Sequence, residues 1–599
     1  MAQPRLRSIT AILKFSRKLR ALGEKGIVLP LVLTYILVFT AEITGLAEYA
    51  SHTQRLVQSQ QNYLTSFYLA DAAAEKSMAA IRLFIATGGN APNDTELNNI
   101  TQAPNVYASG ISFASLNTSS YSGTDWTNKV LTSGDYAGLN GSTRTINVSV
   151  TATDNKNGVA HTTTVTQSLE IQRIPIFQFG VFYQNDLEIL PGSTMTFAGP
   201  VHTNGSLYVG NDGSSTSTNF DSTITAYGTL RHARKDGGSI NNGDVTINDN
   251  DGNSVSMKNG SGWMDSNAAN WATESTARWD DNVQSSAHGV KKLTIPIPNS
   301  TNPQEAHKLI EKRVSGESSE LQAQKLDYKA HLRIVDGAVM DQAGNTVELR
   351  YCSAGGTFSG GTCPSGQSVV NPIAATTFKN FRENKTVKST DINVGLLNSS
   401  PAFSALTTAN NGVIVYFSDR RDQGSGTYQD SVRLVNGSSL PTKGLTVASE
   451  NPMYVKGNYN TVSKQPSGLV ADAFNILSNN WNDANSTNTG LSGKTATATT
   501  VNTAVITGNT ETTSGQYNGG FENIHRLHEN WSSIGLTFSG SVIVLYNSQQ
   551  ATGNWVYGGN YYTAPVRTWG FDSALSGSNY SIPGFPSVFN IAESGYEAT

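Results

Sequence analysis

The sequence predicts an α+β chain in which one very long N-terminal helix precedes a large, mainly β body. Three observations carry this. Residues 26–86 run from an apolar segment into a continuous helical pattern. Beyond it, short alternating strand patterns recur between Gly- and Asn-rich turns. Charged residues make up only 14% of the chain while hydrophobic residues make up 37%, which suffices for a core in a Gly-, Ser-, Thr- and Asn-rich sequence.

The elements follow in order. Residues 1–26 form a basic leader: Arg5, Arg7, Lys14, Arg17, Lys18, Arg20 and Lys25 stand against Glu24, a net charge of +6. The whole chain is −4, so the remainder carries −10. Positive charge beside an apolar span stays cytoplasmic, which directs the following residues outward. The apolar run from Ile27 to Ala41 reaches spanning length, about 20 residues, by continuing through Ile43, Leu46 and Ala47. This places the span at about 27–47. Glu42 then belongs at its outer edge or against a partner. The alternative is a cleaved secretory signal, but no clear small-x-small site is present and the helical pattern does not stop.

From Leu46 the stripe reads Leu46, Tyr49, Thr53, Leu56, Gln60, Tyr63, Phe67, Ala70, Ala74, Met78, Ile81 and Ile85. Spacings of three and four residues are those of one helix face. Arg55, Gln58, Asp71, Glu75 and Arg82 lie opposite. No Gly or Pro interrupts 46–86, Gly45 is a weak point, and Gly88-Gly89 ends the pattern. Over residues 27–89 such a helix would be roughly 90 Å long at 1.5 Å per residue.

These residues resemble the N-terminus of type IV pilin-like proteins, more closely the PilX-type pilus-assembly proteins. Lys25-Gly26 followed by Ile27 is similar to the family's processing site, and the resemblance implies cleavage by a prepilin peptidase with Ile27 as the first mature residue. The segment Phe67-Tyr68-Leu69-Ala70-Asp71-Ala72-Ala73-Ala74-Glu75 resembles the family's aromatic-and-acidic helix motif. Major pilins carry Glu at the fifth mature position, where this chain has Leu31, and Pro30 precedes it. That departure resembles the PilX-type proteins and the large tip pseudopilin of type II secretion. The resemblance covers about 60 residues and implies a minor pilin or pseudopilin whose partners are other pilin-like subunits, reached through Leu46, Tyr49, Leu56, Tyr63, Phe67, Ala70, Ala74, Met78 and Ile81. It implies insertion in the bacterial inner membrane before assembly, and a body in the periplasm, at the cell surface or on a pilus. A weaker likeness covers Phe182–Gly192 and His202–Tyr208, which resemble an uncharacterised bacterial domain that follows PilX-type helices.

The body divides into four sections. Residues 90–175 predict an antiparallel sheet, with strands around 145–152 and 161–171 joined by the turn signal Asp154-Asn155-Lys156-Asn157-Gly158. Residues 176–300 carry short strands spaced about 8–12 residues apart, as in a β-sandwich or an irregular β-solenoid. Residues 301–330 read as a helical connector broken at Gly316, and 331–599 return to strands. In that last section Leu469–Leu477 is a buried strand or a short helix, and the polar runs 484–500 and 508–520 read as surface loops.

Signals for chemistry are weak. Cys352 and Cys363 bracket a Gly-rich loop and read as one disulfide in an exported protein. His525 and His528, with Glu529, offer an i, i+3 pair that lacks a third zinc ligand, and a short surface helix is the blander reading. Asp249 and Asp251 offer oxygens in a calcium-like loop, but a hairpin turn explains Asp-Gly better. Asp186 and Glu188 share a strand face, as paired glycosidase carboxylates would. Neither a phosphate-cradling GxxxxGK[ST] nor Gly-x-Ser-x-Gly occurs. The negative mature charge speaks against nucleic-acid binding. No cofactor and no enzymatic role are expected. Two other classes stay open: an anchored adhesin or glycan-binding protein using Trp531, Trp555, Tyr561, Tyr562 and Trp569, and a β-solenoid glycosidase.

Overall fold

The computed structural model describes residues 28–88, 91–100, 111–120 and 126–599, excepting 132–135, 137, 157–159, 242, 296, 298–301, 556–560 and 578–579. A single helix, α1 (Val28–Gly88), leads into a β-rich body, giving the α+β class. The leader with Lys25 and Gly26, and Ile27 after it, lies outside the described residues.

The first layer of the body is an antiparallel sheet of β1 (Ile111–Ser120), β2 (Thr127–Val130), β3 (Asn140–Asp154) and β4 (His161–Pro175). Asp154 pairs with His161 across the expected turn. Alternation of buried and less buried residues along β3 and β4, interrupted at Thr143-Arg144 and Ile171-Gln172, gives the sheet one apolar face. Its fifth strand is the distant segment Ser587–Ala598, which pairs antiparallel with β4. The expected sheet at 90–175 is thus completed from the far end of the chain.

The rest of the body is a β-solenoid rather than a sandwich, because its strands stack in parallel. One ladder runs through Leu332–Val335, Val413–Ser418, Leu445–Ser449, Ser467–Ala471, Thr499–Asn509 and Gly535–Asn547. It then passes to β5 (Val181–Tyr183) and on to Val201–Thr203, Ile224–Ala226 and Val283–Gln284. Ladder order is therefore not chain order: the last long rung of the chain stacks on the first. Sections 176–300 and 331–599, separate in the sequence reading, share one sheet. A second wall stacks Lys385–Asn393, Tyr428–Val435, Met453–Lys456, Phe474–Leu477 and Arg526–Leu527. Leu469–Leu477 resolves into two buried strands, Ser467–Ala471 and Phe474–Leu477.

Parallel strands covered on both sides read as unbroken apolar runs, as in Val413-Ile414-Val415-Tyr416-Phe417. One set of side chains, including Val413, Val415 and Phe417, fills the solenoid interior. The other set, including Ile414, Tyr416, Val470, Ile506 and Ile543, is covered by Leu293 and Ile295 and, from the connector, by Leu309, Ile310 and Leu326. The connector holds three short helices, Pro303–His307, Ser319–Gln324 and Leu326–Lys329. Gly316 between the first two adopts φ +93°, a conformation that breaks a helix and favours glycine. Its anchor is His307, which bonds Glu311 (Nδ1, 2.8 Å) and the fully buried Asp472 (Nε2, 3.2 Å). Asp472 also accepts the backbone N–H groups of Gln549, Gln550 and Ala551.

Candidate functional site

α1 is the element with a function to explain. It is long and apolar enough to cross a membrane. Its surroundings change along its length. From Val28 to Val57 the apolar side chains point outward on every side, with Val28 78% and Tyr49 73% exposed, and Phe39, Leu46 and Leu56 also exposed. From Asn62 onward one face docks on the sheet. Ala70, Ala73, Ala74, Met78, Ile81 and Ile85 are fully buried against Ile146, Val148, Val150, Val165, Leu169 and Ile171. Small alanines at three positions let the helix lie close to the strands.

Polar ties fix the register. Asn62 Nδ2 donates to the Lys156 carbonyl (3.0 Å), Ser66 Oγ and Thr163 Oγ1 share a buried bond (2.8 Å), and Gln167 Nε2 donates to Glu75 (2.9 Å). The terminal strand adds Tyr596 Oη to Asp71 (3.0 Å) and Arg82 Nη2 to Glu593 (2.5 Å).

The sequence-derived stripe thus splits. Leu46, Tyr49 and Leu56 are uncovered. Tyr63 sits edge-on to His161 and Phe67 packs at the rim of the docked core. Ala70, Ala74, Met78 and Ile81, expected to meet other subunits, instead meet this chain's own sheet. Periodicity specifies a face but not what covers it. The Ser66–Thr163 bond and the strand 587–598 were missed; the i, i+2 pair Phe589 and Ile591 was the available signal.

The other candidates have structural roles. Cys352 and Cys363 form a disulfide with Cα atoms 5.6 Å apart. His525 and His528 are not on a surface helix: a 3-10 turn at Phe521–Asn523 leads into the strand Arg526–Leu527, and both rings are buried. Burial pushes each imidazole down to about 3, with nearby cationic side chains adding to the effect. His528 Nε2 bonds Asn475 Oδ1 (2.9 Å), and His525 is wedged between Phe538 and Trp569. Asp249 accepts N–H bonds from Asp251 (3.0 Å) and Asn253 (2.8 Å) inside an antiparallel hairpin, and Asp251 is exposed on the same turn. No group of three His, Cys, Asp or Glu among the described residues could hold a metal ion. Asp186 pairs with Lys235 Nζ (2.9 Å), while Glu188 accepts from the Lys235 backbone (3.0 Å) and Thr512 Oγ1 (2.8 Å). Residues 508–520 are accordingly not a free surface loop, since Thr512 and Asn518 are buried.

Of the aromatic residues, Trp531 is fully buried and Trp569 packs on Phe521 and His525. Tyr561 stacks on Phe381 at 6.5 Å, whereas Trp555 and Tyr562 come together at the rim of a cleft.

No protein-family model matches the chain, and no curated protein matches it. Among solved structures, the competence-associated pilin ComZ from Thermus thermophilus aligns over 90% of this chain and 97% of its own, at 11% identity and a TM-score of 0.26. A score that low does not bear on function.

Proposed function

We propose that the chain is a non-enzymatic minor pilin or pseudopilin-like component of a type IV pilus or type II secretion-like assembly. α1 inserts in the inner membrane and then among neighbouring pilin-like helices, and the solenoid body is presented outside the cytoplasm. One observation supports this most: residues 28–57 leave the body as an apolar rod with no cover of its own. At 1.5 Å per residue that rod is about 45 Å long, more than the roughly 30 Å of a bilayer's hydrocarbon core. Exposing it to water would be costly, so a membrane and then other helices are its natural surroundings. The body is too bulky to repeat at every position of a tightly packed filament, which favours a minor position in it.

Mass spectrometry of the mature protein from membranes tests the reading. Processing by a prepilin peptidase gives Ile27 as the first residue, and Gly26→Leu should block it. A mature N-terminus at Ala47–Ser51 would mark an ordinary secretory signal and remove the proposal.

A further inference from the structure

The ladder has a seam where the two ends of the solenoid meet. The strand Gly535–Asn547 forks there: residues 535–540 pair with Val566–Phe571, while 542–544 pair with β5. The second wall does not continue across the seam, since Arg526–Leu527 and Leu187–Ile189 belong to different sheets. Missing ladder leaves room, and a cleft of about 730 Å³ opens between Leu190, Gly192 and Ser193 on one side and Tyr517, Glu522, Trp555, Tyr562 and Arg567 on the other. That volume lies within the usual range for small-ligand sites, about 300–1,000 Å³.

Its lining is aromatic and rigidly held. Trp555 Nε1 donates to Tyr562 Oη (2.8 Å), and Tyr562 Oη donates to Asn523 Oδ1 (2.8 Å). Tyr517 meets Trp555 edge-on at 5.3 Å and carries the Arg234 guanidinium 4.5 Å from its ring. Rings fixed in this way offer flat apolar faces at no further ordering cost.

Two guanidiniums meet three carboxylates, Asp236, Glu522 and Asp212, so no positive charge is left over. Arg234 is bound bidentately by Asp236 (2.9 and 2.7 Å). Arg567 faces the buried Glu522, with Nη2 donating to the Glu522 carbonyl (3.1 Å), and Asp212 also lines the cleft.

We propose that this cleft binds a neutral oligosaccharide. Sugar rings stack their C–H faces on Trp555 and its neighbours, and a ring hydroxyl donates to the exposed Asp212 carboxylate. A neutral ligand suits a site whose guanidiniums are matched by carboxylates and leave no positive charge for an anionic sugar, and a hydroxyl supplies the donor that Asp212 can take.

The test uses the full chain in detergent. Gluco-, manno- and xylo-configured hexasaccharides, chitohexaose and a hexa-uronate are titrated by calorimetry and tryptophan fluorescence. Trp555→Ala removes the platform. Ser193→Trp fills the cleft from an exposed rim position and leaves the core alone, while Trp555→Phe keeps an aromatic face. At least one neutral oligosaccharide should bind the unaltered protein. Affinity should fall by about tenfold or more, 1.4 kcal/mol, in Trp555→Ala and Ser193→Trp, and by less in Trp555→Phe. No binding of any neutral sugar at about 10 mM, a limit weaker than −3 kcal/mol, overturns the proposal. Binding of the uronate alone, or binding that survives both disruptive variants, overturns it too. None of these outcomes depends on how the N-terminus is processed.

Discussion

Residues 28–57 and 62–88 of α1 continue one helix and carry similar apolar content, yet only the second stretch is covered by the chain itself. The docked half is part of a folded domain. There, the buried face of Met78, Ile81 and Ile85 is matched by strand residues, and polar groups such as Ser66 and Asn62 have partners. The free half has no such matches, and its threonines turn back on their own helix, as Thr34 does to the Pro30 carbonyl (2.6 Å) and Thr44 to the Thr40 carbonyl (2.7 Å). A helix whose threonines bond their own backbone, and whose exposed surface is apolar up to Ala41 with Glu42, Glu48, His52, Gln54 and Arg55 only beyond it, is suited to a lipid or helix-packed environment. The difference separates a part that stabilises the molecule from a part that locates it.

Substitutions should respect that division. Met78→Glu places a carboxylate in the docked core with no partner and should destabilise the body by about 3–5 kcal/mol, read by denaturant unfolding. Phe39→Glu should leave body stability within about 0.5 kcal/mol. Its cost falls on insertion, roughly 2.5–3.5 kcal/mol at a membrane centre, read by vesicle flotation. Equal losses of body stability in the two variants would erase the distinction between the halves.

A pH series provides the next largest effect and touches the body alone. Burial draws the His307 imidazole down, but hydrogen bonds to Asp472 and Glu311 outweigh this and hold it at about 9. Since the folded value is raised, its contribution is complete below the unfolded value of 6.5 and fades as pH rises through about 9. At most about 3 kcal/mol is involved. Stability should decline over that window in the unaltered protein and not in His307→Gln, while flotation through residues 28–57 stays constant. A decline of equal size in the variant would assign it to another group.

Gly45→Ala should have the smallest effect. A Cβ there meets nothing within 4 Å. The helix should gain up to about 1 kcal/mol locally, seen as slower amide exchange around residue 45, with the body unchanged. Impaired assembly together with the slower exchange would mean that residue 45 lies in a close contact between helices.

Sequence periodicity exposed α1 from end to end, because an unbroken 3.6-residue pattern is a local property. It could not show that Met78 and Ile81 face β3 and β4, since the covering strands lie far along the chain and one comes from 587–598. Short rungs such as Met195–Phe197 were recognisable as strands, but their parallel pairing was not. Three-residue strands carry no information on direction, and the ladder that reveals it includes Gly535–Asn547. The cleft left even less trace. Trp555 and Tyr562 stood out as aromatic residues, yet Arg234, Glu522 and Arg567 acquire meaning only where the seam gathers them. His525 and His528 misled for a related reason: spacing suggests one helix face only if a helix is present, and here a turn and a strand bury both rings.

The seam also bears on how the chain reaches its final form. Val181 must wait for Val542, and Ile174 on β4 for Val588, before either edge is closed. Loop closure over such distances is slow, and until then both edges offer unpaired backbone to any strand they encounter. Synthesis from the N-terminus therefore delivers α1 and two open sheet edges long before the segments that seal them. A chain of this design depends on protection until those segments arrive, and losing residues 588–599 would reopen an edge beside the docked helix rather than merely shorten a tail.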